Sequence, residues 1–223
     1  MQKFATATPI TAVLDVPAAL IHFIAADRAD TTVEILPVDT SNSRDVKAAE
    51  QTTATCQDGV LRIAAAPAKS PVVGNPGSVK ITVQLPADSR IEAKTATAEF
   101  RSTGRLGDVA FESAHGTVNL DETANAHLTL MAGDVSVGRL GGAAQITTQK
   151  GDLHIAEAQR GTVELTTQAG DITVGAARGV SATLDAGTAY GRIHNALTNS
   201  DGAAAGLTIR ATTSYGDITA RSI

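Results

Sequence analysis

The chain has 223 residues and a formal net charge of −5, and only 3% of its residues are aromatic, none of them tryptophan. A chain of this length can bury a sizeable core, which must here be built from Val, Ile, Leu and Ala. The 18 basic residues are spread thinly, which argues against a nucleic-acid partner because phosphate binding requires clustered Lys and Arg.

The same sequence predicts neither a membrane span nor an export signal. No segment approaches the ~18 consecutive apolar residues of a membrane span, so we expect no direct membrane insertion. The apolar stretch Ala18–Ala26 is short and contains His22, which is unlike a signal peptide. The single cysteine, Cys56, cannot form an internal disulfide and is typical of a reduced protein. We therefore predict a cytoplasmic location.

Residues 1–90 have the pattern of ordinary β structure, and all seven prolines lie at or before Pro86. Strands are predicted at residues 10–16, 20–25, 32–36, 52–56, 60–65 and 79–85. A short helix is predicted at Ser43–Gln51, a hairpin turn at Asp58-Gly59 and a surface loop at residues 67–77. We expect residues 1–90 to form a small N-terminal β cap that packs on the rest of the chain.

The rest of the chain repeats one unit, and 17 of the 20 glycines lie at or after Gly104. Each unit has a glycine, usually an aspartate next, and an aliphatic residue two positions after the glycine. Polar and apolar residues then alternate, which is typical of a strand with one buried face. In the last four units a threonine lies three residues before the glycine. The glycines are Gly107, Gly116, Gly133, Gly151, Gly170, Gly191 and Gly216, spaced by 9, 17, 18, 19, 21 and 25 residues.

This pattern predicts a strand, a tight corner, a second strand and a second turn in each unit. Glycine supplies the positive φ that a corner needs, and the following aspartate can accept hydrogen bonds from the turn backbone. We predict an all-β fold, in which residues 91–223 form a right-handed, β-helix-like solenoid of about 18–25-residue coils. Solenoid and cap would form one continuous structural unit. An antiparallel meander is the alternative, which periodicity alone does not exclude.

The corner motifs, taken with the passage VKITVQLP at residues 79–86, resemble a bacterial family of β-strand-repeat, adhesin-like proteins. These proteins are also called toastrack domains, and the function of the family is unknown. The likeness covers nearly the whole chain. It implies a β-helix-like solenoid and a link to cell-envelope stress systems, and it supplies no catalytic residues.

A row of corner aspartates is the most evident candidate site. Its members are Asp108, Asp134, Asp152, Asp171 and Asp217. Calcium-binding solenoids repeat every nine residues and have several glycines per turn. The period here is about twice as long, and Thr117 and Arg192 interrupt the row. We therefore predict that these carboxylates stabilise turns and that the fold does not depend on calcium.

Histidine and tyrosine pairs give two weaker candidates. His154 and His194 have the same outward register with one unit between them, so stacked strands would place them roughly 9–10 Å apart, which is awkward for a shared metal. The remaining histidines, His22, His115 and His127, have no ligand spacing. Tyr190 and Tyr215 each precede a corner glycine, which predicts a structural stack, with a small ligand platform as the alternative.

From the sequence we assign no catalytic, cofactor-binding or metal-binding residue, and we predict a protein that is not an enzyme. The turns are short, and no hydrolase, nucleotide-binding or redox motif occurs.

The main hypothesis is a scaffold or protein-interaction module with unknown protein partners. The first alternative is self-association through the C-terminal end of the solenoid, as a filament or end-to-end dimer, because Arg221-Ser222-Ile223 offers little capping. The second is a carbohydrate-binding or adhesin-like surface protein.

Overall fold

The computed structural model describes residues 1–66 and 77–223, which form nineteen strands, one α-helix and one short 3₁₀ helix (Gly202–Ala204). The α-helix is α1 (Ser43–Gln51). The strands are β1 (Gln2–Ala5), β2 (Thr11–Asp15), β3 (Ala18–Ala26), β4 (Asp30–Pro37), β5 (Thr52–Gln57), β6 (Val60–Ala65), β7 (Val79–Pro86), β8 (Arg90–Thr103), β9 (Arg105–His115), β10 (Val118–Ala132), β11 (Val135–Leu140), β12 (Ala144–Thr147), β13 (Leu153–Ala158), β14 (Gly161–Thr166), β15 (Ile172–Ala176), β16 (Ala182–Tyr190), β17 (Ile193–Ala196), β18 (Leu207–Tyr215) and β19 (Ile218–Ser222).

Consecutive coils of the repeat stack in parallel, which confirms the all-β solenoid and removes the antiparallel meander for the repeat. Strand β10 pairs in parallel with β12, which pairs with β14, and this series forms face 1 of the solenoid. Strand β10 also pairs in parallel with β11, which pairs with β13 and then β15, and this series forms face 2. Apolar side chains from both faces alternate inward and form one continuous core.

The spatial order of the coils departs from chain order at the C-terminal end. Strand β18 pairs with both β14 and β16, and β19 pairs with both β15 and β17. The coil formed by β18 and β19 is therefore inserted between the preceding coil and the one formed by β16 and β17. We call β16 and β17, residues 182–196, the end coil. The prediction of an open end at Arg221-Ser222-Ile223 is wrong, because β19 pairs with β15 on one side and with β17 of the end coil on the other.

A similar insertion occurs near the N-terminus. Strand β2 lies between β6 and β8, and β3 lies between β7 and β8, in each case with parallel pairing. The first long strands of the chain thus form a coil that stacks like the later repeats. Antiparallel pairs join β1 to β4, β4 to β7 and β5 to β6. The division of the chain at residue 90 stays a prediction.

Helix α1 covers the core at this end of the solenoid. Its Ala48 and Ala49 pack against the core, and Asn42 caps it by accepting a hydrogen bond from the backbone N–H of Arg44. The buried carboxylate of Asp45 accepts hydrogen bonds from the backbone N–H groups of Asp39 at 3.2 Å and Ser78 at 2.9 Å. The helix is thereby fixed to the chain on both sides of it. No helix among the described residues is long and apolar enough to span a membrane.

Local predictions for the N-terminal part agree closely with the structure. The helix begins and ends at the predicted residues, and Asp58 and Gly59 both have positive φ in the predicted β5–β6 hairpin. Strand β1 was not predicted. Most of the predicted loop at residues 67–77 lies outside the described residues.

The corner glycines of successive coils form a column, in which the backbone of one glycine packs directly against the backbone of the next. Gly170 has a φ of +151°, and a Cβ atom added there would lie 2.1 Å from the carbonyl oxygen of Gly151. Gly216 stacks on Gly170 in the same way. The threonine three residues before the corner points inward, and Oγ1 of Thr213 donates to the carbonyl oxygen of Gly170 at 3.1 Å. The buried hydroxyl is thus satisfied by the corner itself.

One of the seven aligned glycines belongs elsewhere. Gly107 lies against the backbone of Asp88 and not in the corner column, and Val109 pairs with Ala126 on face 1. It therefore marks the second corner of the coil, half a turn away. This explains why its spacing to Gly116 is nine residues, about half of the next spacings.

Replacement of Gly170 by alanine is expected to destabilise the protein strongly. The new methyl group would displace the Gly151 carbonyl, and the positive φ is unfavourable for alanine, so we expect a loss of about 3 kcal/mol or more. For a chain of this size that loss lowers Tm by roughly 6–12 °C. The matched control is Gly187→Ala in β16, where no atom lies within 4 Å of the added Cβ. Equal Tm values for the two variants would contradict the role of the glycine column.

Candidate functional site

The corner aspartates are joined to one another by backbone hydrogen bonds between coils. The N–H of Asp152 donates to Oδ1 of Asp134 at 2.9 Å, and the N–H of Asp171 donates to Oδ1 of Asp152 at 2.8 Å. The N–H of Asp217 donates in turn to Oδ1 of Asp171 at 2.8 Å. Each carboxylate therefore binds the next coil. Among the described residues, no group of three or more His, Cys, Asp or Glu side chains is arranged to hold a metal ion.

Asp108 is separate from this row. Its Oδ1 accepts a hydrogen bond from Nδ2 of Asn125 at 2.8 Å, and Arg90 lies 3.9 Å from its other oxygen. The separation follows from the position of Gly107 at the second corner. The sequence alone groups Asp108 with the other four aspartates, because the local motif is identical at both corners.

Arg192 ends the row of aspartates at the end coil. Its backbone N–H donates to Oδ1 of Asp217 at 2.8 Å, and its guanidinium bonds Oδ2 of the same carboxylate at 3.0 Å. Because a charged carboxylate accepts both bonds, the Arg192 N–H and guanidinium lower the pKa of Asp217 below its ordinary value. In the end coil, the corner position is occupied by Arg192 and not by aspartate. The described chain has no further coil there whose N–H could donate to a corner carboxylate.

The two histidines with shared register are farther apart than the sequence predicted. His154 pairs with Thr173, Thr173 pairs with Thr219, and Thr219 pairs with His194. Two strands lie between the histidines instead of one, because β19 is inserted before β17. At ~4.8 Å per strand the separation of their backbones is about 14 Å, too long for one metal ion to bridge.

The stacked tyrosines lie at the end coil. The rings of Tyr190 and Tyr215 are parallel within 4°, with centroids 5.0 Å apart. Tyr190 is 68% exposed and Tyr215 is 60% exposed. The stack stops there along the sheet, because Ala169 and Lys150 hold the next two positions. The structure therefore contains the stack, and it presents two large rings to solvent beside the outermost strand.

The end coil also exposes part of the core cross-section. Ile193 is in register with the buried Ile218, and Asn195 with the buried Ala220, so both hold inward positions. Ile193 is nevertheless 47% exposed, because no described strand covers it from the outer side. Leu184 of the end coil and Leu197, the residue that follows it, pack against the core and are only partly buried. This is the one solenoid end in the described structure where inward positions reach solvent without a helix over them.

The unit that begins at Gly191 carries a sequence signal for this end. Asn195 is a polar residue at a position that is apolar in most units, and Arg192 replaces the corner aspartate. Both changes fall in the unit between the longest glycine spacings, 21 and 25 residues. A unit that no longer needs an apolar inward residue or a corner carboxylate is typical of an outermost coil.

Face 1 carries two shallow cavities of about 510 and 430 Å³. Both are lined by Ala110 and His127, and they arise where small outward side chains lie between longer ones. Several charged groups at their margins are already paired, as in Lys94 with Glu112 at 3.3 Å and Arg210 with Glu164 at 2.9 Å. These cavities therefore hold no converging set of reactive groups.

The isolated cysteine and histidine of the N-terminal part are not arranged for catalysis. Burial raises the pKa of the Cys56 thiol, which makes it a weaker nucleophile. The ring of His22 shares a hydrogen bond with the Thr103 hydroxyl at 3.1 Å. Burial, then the charges of Arg101 and Lys80, lowers the pKa of His22. The side-chain hydrogen bond of His22 goes to Thr103 and not to Cys56.

Taken together, the parallel coils, corner column and capped end define an all-β solenoid protein. A family model, Toastrack DUF4097, matches residues 72–221, and the chain belongs to this bacterial family of unknown function. The resemblance noted from the corner motifs is confirmed. Among curated proteins, none matches this sequence.

Several solved structures are similar to this chain at low sequence identity. A putative adhesin from Bacteroides fragilis is 15% identical, with a TM-score of 0.56, over 100% of this chain and 95% of that one. A putative cell adhesion protein from Clostridium sporogenes is 12% identical, with a TM-score of 0.47, over 100% and 98%. A putative lipid binding protein from Parabacteroides distasonis is 13% identical, with a TM-score of 0.41, over 98% and 95%. The Bacteroides protein shows the same fold.

Removal of divalent cations is expected to leave the fold unchanged. Because backbone N–H groups of the next coil already bind Oδ1 of the four aspartates in the row, the coils are held together without an ion. A chelator should therefore alter neither the β-sheet circular dichroism signal nor Tm. As a control, excess calcium should likewise leave Tm unchanged. A large loss of either signal with chelator would contradict this role of the aspartates.

The Asp217–Arg192 contact is expected to make the end coil sensitive to acid. Since folding lowers the pKa of Asp217, its stabilising effect is complete above the unfolded value of about 3.9 and is lost as pH falls through the lower folded value. Asp217→Asn should therefore speed amide exchange in the end coil at pH 6, and its difference from the wild type should shrink as pH falls toward about 2. The control is Asp185→Asn on the same coil. An equal effect of both variants at pH 6 would contradict the prediction.

Proposed function

We propose that this toastrack-family protein is a non-catalytic scaffold that binds a protein partner through its end coil. The observation that carries the proposal is the difference between the two ends of the solenoid. At one end, α1 and the antiparallel strands cover the core. At the other, the outermost strands β16 and β17 and the inward residue Ile193 reach solvent.

The long faces support this choice because their charges are largely satisfied within the protein. Arg139 lies between Glu122 and Glu157, at 3.4 and 3.7 Å. Exposed pairs of this kind contribute little to stability, but they leave few uncompensated charges for a ligand. The faces therefore serve best as rigid supports that hold the end coil in a defined geometry.

The end coil has the two properties that strand-edge recognition requires. An outermost strand offers backbone N–H and C=O groups to an extended chain, and such hydrogen bonds give affinity without much sequence demand. The partly exposed Ile193 and Leu184 beside these edges supply apolar contact area. A partner strand would thus gain both backbone pairing and burial of apolar surface.

A second candidate function is adhesin-like binding of carbohydrate at the same end. The exposed Tyr190–Tyr215 stack favours it, because an open aromatic face packs well against a sugar ring. Glycan-array binding by the wild type and its loss in Tyr190→Ala would support this candidate. If the wild type binds no glycan on the array but captures a protein that Ile193→Lys does not, the scaffold function is supported and the carbohydrate candidate is rejected.

The scaffold function predicts partner binding that depends on the end coil. Immobilised wild-type protein and two lysine variants, Ile193→Lys and Met131→Lys, would be exposed to host extract and compared by quantitative mass spectrometry. Met131 is the matched control because it is 52% exposed on face 1, close to the 47% of Ile193. We expect a protein retained by wild type and Met131→Lys to be lost in Ile193→Lys, since a charge at the apolar edge opposes docking.

The retained protein must also protect the end coil from hydrogen exchange. Protection confined to β16 and β17 is the expected result. Equal retention by all three proteins, or protection confined to either face, would contradict binding at the end coil. Circular dichroism of the Ile193→Lys variant establishes that it is folded before the comparison is made.

A further inference from the structure

We infer that the partner of the end coil is a second copy of this chain, joined through a two-fold axis into a closed dimer. In this dimer β16 and β17 each pair antiparallel with their counterparts, so both faces continue from one protomer into the other. The inference rests on the proposed function, because it identifies the occupant of the same surface.

The first argument is the match between strand edges. Within the described chain, β16 pairs only with β18, and β17 pairs only with β19. Each therefore has one side open, apart from the N–H of Ala182, which donates to the carbonyl oxygen of Thr198 at 3.1 Å. A two-fold axis across an outermost strand places its donors opposite the acceptors of the same strand in the second copy. Because β16 and β17 are both outermost strands, this match of donors with acceptors occurs on both faces.

The second argument is the lack of the residues that usually protect an exposed edge. Native edge strands carry lysine, proline or inward charges that oppose pairing with another chain. Residues 182–196 contain no lysine and no proline, and Asp185 is their only carboxylate. Arg192 is held by Asp217, so its charge is compensated within the protomer. Little electrostatic repulsion would arise when two end coils meet.

The third argument explains why assembly stops at two copies. A filament would require the end coil of one copy to dock on the opposite end of the next. That end is covered by α1, whose Asp45 is fixed by hydrogen bonds to Asp39 and Ser78. Strands β1 and β5 each have an unpaired side at that end, but head-to-tail stacking would bring the end coil against α1, whereas two end coils meet with no helix between them. The geometry thus favours a closed pair over an open chain.

The available area sets the expected strength of the dimer. The nine residues of β16 span about 30 Å at ~3.3 Å per residue, and facing sheets lie ~10 Å apart. With side chains included, the end presents roughly 500 Å² per protomer, or about 1,000 Å² in total, which is near the lower limit for a specific interface. We therefore expect a dissociation constant in the micromolar range or weaker.

Sedimentation velocity and light scattering between about 1 and 500 µM test the inference with the full chain. Wild type and Met131→Lys should shift from monomer to dimer over this range without larger species. Ile193→Lys should weaken the dimer by about tenfold or more, because two unpaired lysines would be buried together. A wild type that stays monomeric at 500 µM overturns the inference.

Crosslinking distinguishes the two-fold dimer from head-to-tail assembly. The variant Ile193→Cys retains the native Cys56, which lies in β5 at the opposite end. A short bis-maleimide should link two introduced thiols and give only dimers, and Cys56→Ser in the same background should leave this product unchanged. A ladder of larger products that disappears with Cys56→Ser would overturn the two-fold arrangement.

The outcomes also separate this inference from the proposed function. A monomeric wild type that still captures a different protein through Ile193 refutes self-pairing and retains the end coil as the binding surface. A dimer that forms equally well in Ile193→Lys refutes self-pairing through the end coil, and it refutes the proposed function as well when capture from the extract is also unchanged in that variant.

Discussion

The close stacking of backbone on backbone at the corners is the constraint on which the rest of the structure depends. Parallel strands of adjacent coils lie ~4.8 Å apart, and at the corner this leaves no room for a side chain on the inner side of the turn. Gly170 lies so close to Gly151 that an added Cβ would be 2.1 Å from its carbonyl oxygen. Once the glycines fix that distance, the N–H of each corner residue reaches the aspartate of the preceding coil.

Local structure could be predicted from the sequence because it depends on neighbouring residues. Alternation at residues such as 163–166 predicts a strand with one buried face, and the Asp58-Gly59 turn requires two positive φ values that these residues tolerate. The Gly-Asp motif likewise predicts a corner. The motif does not distinguish the two corners of a coil, so the sequence alone groups Gly107 and Asp108 with the wrong set.

The order of the coils could not be predicted for a different physical reason. The segments Leu207–Tyr215 and Ala182–Tyr190 have the same alternation, the same threonine and the same tyrosine before the corner. Either could pair with β14 through the same backbone hydrogen bonds. The choice depends on which inward side chains must be fully buried: Ile218 and Ala220 in the inserted coil are apolar, whereas the end coil has Asn195. The inward residues of the two coils can be compared in this way only when it is known which coil is outermost, and the alternation within each segment does not show this.

The insertion of β18 and β19 also links folding to the proposed binding surface. The end coil can dock only after residues 207–222 have docked, because its strands pair with no other part of the described chain. It has one neighbouring coil and partly exposed inward residues, so it belongs to the least stable part of the solenoid. A partner strand added to β16 and β17 would place this coil in the same environment as an interior one. Binding of a partner strand would therefore stabilise the end coil, which has only one neighbouring coil in the protein itself. Ordering of the end coil would then be coupled to occupation of its strand edges.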